Sequence, residues 1–210
     1  MKKKKLEFKK NSNLDNSLKD FMFYINYNEN ISKNKFKNSL NSMKIDYYDN
    51  LLETSIPKEA QIAQRMYSEE SDIFNDFYRL SKEKFNKKLM ELELTTDEVE
   101  VYINNLKKSE IILKKDIVVY RGFTVFNINP NKLKETHGFI STSVDKAIAV
   151  GYTQGIGKVI PVQIPKETKI MYLRKHSIYP NHMEVLIPPE YYIHGYKVKN
   201  QVKYIIRKRK

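Results

Sequence analysis

The chain has 210 residues, 40% of them hydrophobic and 30% charged, which describes one well-cored globular domain with room for a helical extension. Cysteine is absent, which excludes disulfides and thiolate chemistry. No apolar run approaches the roughly 18 residues that span a bilayer, and the lysine-rich start leads into neither the hydrophobic segment nor the cleavage site of a secretory signal.

The net charge of +13 is unevenly spread. Residues 1–50 hold 11 Lys and Arg against 6 Asp and Glu, residues 51–110 hold 9 against 13, and residues 111–210 hold 18 against 6. A basic C-terminal half fits an anionic ligand, a nucleic acid or an acidic protein target.

In chain order, Met1 to Asn13 reads as a basic tail, and Leu14–Ile25 and Lys33–Met43 as short amphipathic helices within an Asn/Lys-rich extension over residues 1–50. Pro57 suits the first turn of a helix reaching Met66. Ile73, Phe74, Phe77 and Leu80 recur at helical spacing and predict a second helix from about Ser68 to Met90, with a break. Thr95-Thr96-Asp97-Glu98 has the form of a capping box, and Val99, Tyr102, Ile103 and Leu106 give the helix behind it one apolar face.

After Lys115 the period changes. Asp116–Arg121, Gly138–Ser143, Lys158–Ile164, Thr168–Leu173, Met183–Ile187, Tyr191–Val198 and Val202–Ile206 read as strands at hairpin-like spacing. Asp145–Tyr152 reads as a short helix capped by Ser143 or Asp145. Helices first and strands second give an α+β class with mostly antiparallel sheets, the domain covering 51–210 with a helical part over 51–113 and a β-rich part over 114–210.

Several motifs have ordinary explanations when taken alone. Gly151, Gly155 and Gly157 follow a helix and enter a strand, the reverse of a dinucleotide-binding fingerprint. His137, His176, His182 and His194 lack zinc-type spacing, so no metal is expected. Arg121, ending a valine-rich strand, suits paired hydrogen bonds to phosphate or carboxylate, but a strand-end arginine also pairs with surface acids. Glu184 is an acid on an otherwise apolar strand, costly to bury without a partner.

The combination is more specific. Tyr120-Arg121-Gly122 on one strand, Phe139-Ile140-Ser141-Thr142-Ser143 about twenty residues on, and Glu184-Val185-Leu186 beyond resemble the mono-ADP-ribosyltransferases of the Arg–Ser–Glu class. The likeness covers about Ser55 to Arg207. Tyr67-Ser68 followed by Asn75 is similar to the family's helix leaning over NAD, a helix over Thr95–Leu113 leading into Val118-Val119-Tyr120-Arg121-Gly122 is similar to its layout, and Tyr179 is similar to the aromatic of its target-recognition turn. The resemblance implies two packed antiparallel sheets beneath a helical N-terminal part. It makes NAD the substrate, with no metal, and a protein or nucleic acid the acceptor. It implies that Arg121 holds the NAD phosphates beside Gly122, that Ser141 orients a catalytic Glu184, and that Thr142 and Ser143 hold the pocket wall. It also implies that Phe139, Tyr152, Tyr67 and Asn75 line the NAD site, and that Tyr179, Asn181 and His182 face the acceptor.

Oxocarbenium character develops as the nicotinamide–ribose bond breaks, so an ionised, oriented carboxylate is the residue type that chemistry asks for. One departure stands out. Arginine-modifying members carry glutamate two residues before the catalytic one, where this chain has His182. An imidazole can take a proton near neutral pH and so serve another nucleophile, or it can merely position the substrate. Without an export signal, the expected setting is the cytoplasm of the producing or infected cell, with signal-independent export the alternative. The rival functions are a basic nucleic-acid-binding or host-interaction protein on a degenerate transferase fold, and an NAD glycohydrolase.

Overall fold

The computed structural model describes residues 42–125, 128–129, 133, 137–199 and 201–209. The tail and the helix expected over Leu14–Ile25 lie outside the described residues, as does nearly all of Lys33–Met43. The chain divides into two compact units, Met1–Tyr47 and Tyr48–Lys210. Of the first, only the start of helix α1 (Ser42–Leu52) is described; the remaining helices and all the strands belong to the second.

Between α1 and the strands come α2 (Lys58–Arg79), α3 (Lys82–Glu91) and α4 (Thr96–Lys107). The break expected near Tyr67 is instead a kink at Glu70 (φ −132°, ψ 43°), and α2 runs on to Arg79. The true boundary falls at Leu80, which is extended, and at Ser81, whose hydroxyl caps α3 by accepting from Lys84 N. Both halves of the capping box form: Thr95 Oγ1 accepts from Glu98 N at 3.2 Å and Glu98 Oε2 from Thr95 N at 2.8 Å. Helix α4 ends at Lys107 rather than reaching Leu113, because Ile111–Ile112 is spent on strand β1, paired with β5.

The strands are β1, β2 (Ile117–Phe123), β3 (Ile140–Ser143), β4 (Lys158–Ile164), β5 (Lys169–Tyr172), β6 (Glu184–Ile187), β7 (Tyr191–Val198) and β8 (Gln201–Lys208), with α5 (Lys146–Gly151) after β3. The two expected sheets are halves of one eight-stranded order, β1-β5-β6-β3-β2-β4-β8-β7. They join where β2 meets β3, through the single registered pair Tyr120↔Ser143. All pairings are antiparallel except β4 with β8. That parallel step seats the β7–β8 hairpin against β4, which a sequence read as successive hairpins does not anticipate.

The helices bury one apolar stripe each against the β5–β6 half. Tyr67, Phe74, Phe85, Leu89, Val99, Ile103 and Leu106 share a core with Phe139, Met171, Leu173 and Leu186. Burying side chains of this size contributes about 1.5–3 kcal/mol apiece. Strand β6 is buried on both faces beyond its first residue, Glu184, which alone keeps partial access.

Candidate active site

Three strands bring one side chain each to the junction between the sheet halves. Ser141 lies opposite Leu186 in the β3–β6 ladder, so Glu184 is its diagonal neighbour on the same face. The Ser141 hydroxyl donates to Glu184 Oε1 at 2.5 Å, and Arg121 Nη1 donates to the Ser141 carbonyl at 2.6 Å. Arg121, Ser141 and Glu184 thus form a hydrogen-bonded chain across β2, β3 and β6. The guanidinium also lies 5.3 Å from the centre of the Phe123 ring.

Burial pushes the Glu184 carboxyl above the usual carboxylate range, while the Ser141 bond and the Arg121 charge pull it back. Burial likewise lowers Arg121 from its ordinary value, though a guanidinium stays charged. Both groups are partly accessible, so the cation and the acid lie side by side at one half-buried site.

The rest of β3 is held as firmly. Thr142 Oγ1 donates to Val185 O at 2.6 Å and Ser143 Oγ to His182 O at 2.7 Å. Ser143 Oγ also accepts from Asp145 N, and Asp145 Oδ1 from Ala147 N, so both expected caps act together at the start of α5.

Gly122 admits that helix. A Cβ there would stand 2.2 Å from the Ala149 carbonyl oxygen, so the absent side chain sets the approach of α5 to β2. Tyr67 and Phe139 lie inside the core, each 1% exposed, with their rings edge to face at 5.6 Å. Asn75 is buried, accepting from Phe139 N at 2.8 Å through Oδ1 and donating to Ser71 O at 2.9 Å. Gly138 (φ 96°) packs on that amide, where a Cβ would meet Oδ1 at 2.7 Å. These three residues bind helix α2 to the start of β3, and their buried rings and amide offer a ligand almost no surface in this structure.

The turn before β6 is a 3₁₀ segment, Pro180–His182, closed by Met183 in the left-handed region (φ 47°). His182 stacks on Tyr179 at 4.8 Å and 15°, and its Nδ1 lies 2.8 Å from the Tyr152 hydroxyl. Burial and the neighbouring Glu184 charge push the Tyr152 phenol up, so it keeps its proton. Tyr179 and Asn181 are exposed. Ile178 N donates to Ser68 Oγ at 3.1 Å, tying the turn to the kinked stretch of α2.

Arg79 carries no signal in the sequence. This exposed residue donates through Nε to His137 O at 2.9 Å, and its charge acts on Arg121. A cation in a helix's last turn is ordinary, so nothing local marks it. Among the described residues there is no group of three or more His, Asp or Glu arranged for a metal ion, and no helix long and apolar enough to cross a membrane.

The family model for the ADP-ribosyltransferase exoenzyme matches residues 37–209, and the chain belongs to that family. It is an NAD-dependent mono-ADP-ribosyltransferase, with NAD as the substrate. Among solved structures, that of the transferase Vis of Vibrio splendidus bound to agmatine is 14% identical, covering 79% of this chain and 80% of its own at a TM-score of 0.51, which shows the shared fold. An ADP-ribosyltransferase of Clostridium botulinum is 20% identical over 74% of this chain and 88% of its own, at a TM-score of 0.47. An ADP-ribosyltransferase toxin of Paenibacillus larvae is 22% identical over the same shares, at 0.45. No curated protein matches the sequence.

Proposed function

We propose that Glu184 is the catalytic carboxylate, that Ser141 orients it, and that the acceptor is a macromolecule approaching past Tyr179, Asn181 and His182. The observation carrying this is the hydrogen-bonded chain from Arg121 through Ser141 to Glu184.

The residues fit NAD by charge. The pyrophosphate answers Arg121, with Arg79 as a second cation, and the positive nicotinamide ring answers the Glu184 carboxylate. Arrival of that positive charge favours the ionised acid, so substrate binding itself would arm the site. The carboxylate then stabilises positive charge developing on the ribose. The bond from ribose C1′ to nicotinamide nitrogen breaks, and nicotinamide leaves neutral with the electron pair. The acceptor forms the new bond to C1′ and gives up a proton.

His182 stands where arginine-modifying relatives carry an acid, and Tyr152 fixes its Nδ1 side. Tyr152, expected as a wall near the nicotinamide, therefore acts on the acceptor side in this proposal. The His182 position therefore offers an imidazole where those relatives offer a carboxylate, without the anion that would attract a guanidinium. The acceptor group is accordingly one without a permanent positive charge, such as an amide, a hydroxyl or a base amine. The setting in this proposal is the cytoplasm of an infected or intoxicated cell.

Purified protein given tagged NAD and a host lysate tests both halves. Nicotinamide release that disappears in Glu184→Gln and Arg121→Lys, with tag transferred to a macromolecule, is the expected result. Undiminished release in Glu184→Gln would remove the catalytic assignment. Release without any transferred tag would leave a glycohydrolase.

A further inference from the structure

The β7–β8 hairpin lies in the half of the sheet away from Glu184, and the catalytic proposal uses none of its residues. Tyr192, His194 and Tyr196 alternate along β7 and so share one face. Their rings form a ladder: Tyr192 and His194 lie 6.3 Å apart edge to face, and His194 and Tyr196 lie 6.1 Å apart at 11°. Directly across the ladder, Tyr192 faces Arg207 and Tyr196 faces Lys203, both exposed cations. The Arg209 guanidinium sits 5.5 Å over the Tyr192 ring. Residues 191–210 hold seven Lys and Arg and no acid.

This face is the outer one. His194 pairs with Ile205, Ile205 with Gln163, and Gln163 with the half-exposed Val118, whereas Arg121 and Val119 alternate with Val118 and point to the other side. The ladder is therefore on the opposite face of the sheet from Arg121.

We propose that this surface binds single-stranded nucleic acid. Lys203 and Arg207, across the strands from Tyr196 and Tyr192, answer phosphates, and the partly exposed rings along β7 give unpaired bases aromatic partners for stacking whatever their sequence. A duplex keeps its bases stacked internally and leaves such rings unused. An anionic membrane would use the charges but gain little from a ring ladder. The proposal is independent of the catalytic assignment.

Fluorescence anisotropy with a labelled oligo(dT) of about 15 nucleotides tests it. The wild type binds, and affinity falls as salt rises. Tyr196→Ala weakens binding about tenfold or more, while Tyr196→Phe retains it. Lys203→Gln lowers the slope of log affinity against log salt by about 0.7. Melting curves report folding for every variant, so loss of structure does not confuse the outcome. Equal binding to a duplex of the same length or to phosphatidylserine vesicles, or an unchanged affinity in Tyr196→Ala, overturns the proposal and leaves only a cationic patch.

Discussion

The Ser141 hydroxyl reaches Glu184 Oε1 at 2.5 Å from a diagonal position in the ladder, a bond that opposes the rise burial imposes on the carboxyl and also sets its direction. Burial raises the Glu184 pKa, and Ser141 and Arg121 oppose the rise. If Glu184 is the catalytic carboxylate, as proposed, the reaction needs the ionised form, and activity falls as the pH drops through that raised value. Ser141→Ala removes the largest opposing influence, and the acid limb of kcat/KM for nicotinamide release moves to higher pH. Rate at the alkaline plateau falls by about tenfold to a hundredfold from lost orientation, on the scale of one preorganised hydrogen bond. A pH–rate profile between about pH 5 and 9 checks this. An acid limb left in place would mean that Ser141 does not tune the acid.

The same raised pKa makes Glu184 a cost to stability. A carboxyl whose folded pKa exceeds its unfolded value favours folding while protonated and loses that contribution as pH rises through the folded value. Near neutral pH the ionised group is thus buried at a loss. Glu184→Gln keeps an acceptor for Ser141 and removes the charge. Its Tm should exceed the wild type's by a few degrees near pH 7.5, at about 2–4 °C per kcal/mol for a chain this size. The gain should vanish once the wild-type acid is protonated in both the folded and the unfolded chain, below about pH 4. Nicotinamide release falls at least about a hundredfold in the same variant. Differential scanning fluorimetry at the two pH values provides the measurement.

Much of the site could be seen in the sequence because its signals are local. A strand ending in Tyr120-Arg121-Gly122, a hydroxyl strand at Ser141–Ser143 and an acid leading the apolar β6 are each short stretches that are ordinary alone and specific in their order and spacing. The capping box at Thr95 is equally local. The features that stay hidden depend on distant partners. The kink at Glu70 rather than near Tyr67 carries no proline or glycine to mark it. The early end of α4 reflects pairing of Ile111–Ile112 with residues nearly sixty positions on. Tyr67, Asn75 and Phe139 are given as NAD-site residues by the family resemblance alone, and their burial, with Asn75 Oδ1 accepting from Phe139 N, depends on contacts between α2 and the start of β3 that no local pattern shows.

Gly122 offers a test of how the scaffold sets the cleft. A methyl group there would press on the Ala149 carbonyl, a backbone atom that cannot swing aside. Gly122→Ala should therefore cost about 1–3 kcal/mol as α5 is pushed off β2, seen as a Tm lower by several degrees. Because α5 leads directly into Tyr152, transfer to the acceptor should drop further than nicotinamide release does. Urea unfolding together with the two activity assays separates these effects. A variant as stable as the wild type would show that α5 has slack against β2.

Tyr152 gives the sharpest separation between breaking NAD and choosing an acceptor. Its hydroxyl lies 2.8 Å from His182 Nδ1, and His182 in turn stacks on Tyr179. Nothing in that contact touches Arg121 or Ser141, so Tyr152→Phe leaves both hydrogen bonds to the reacting end intact. The imidazole then loses its hydrogen bond to the phenol while keeping its stack on Tyr179. Release of nicotinamide to water should stay within about twofold to threefold of the wild type, while labelling of the acceptor falls about tenfold, the scale of one lost orienting hydrogen bond. His182→Ala should resemble Tyr152→Phe, and the double variant should be no worse than either alone, since both remove one coupled unit. Equal losses in release and labelling for Tyr152→Phe would place the phenol on the NAD side of the cleft instead. Additive losses in the double variant would mean that Tyr152 and His182 act separately.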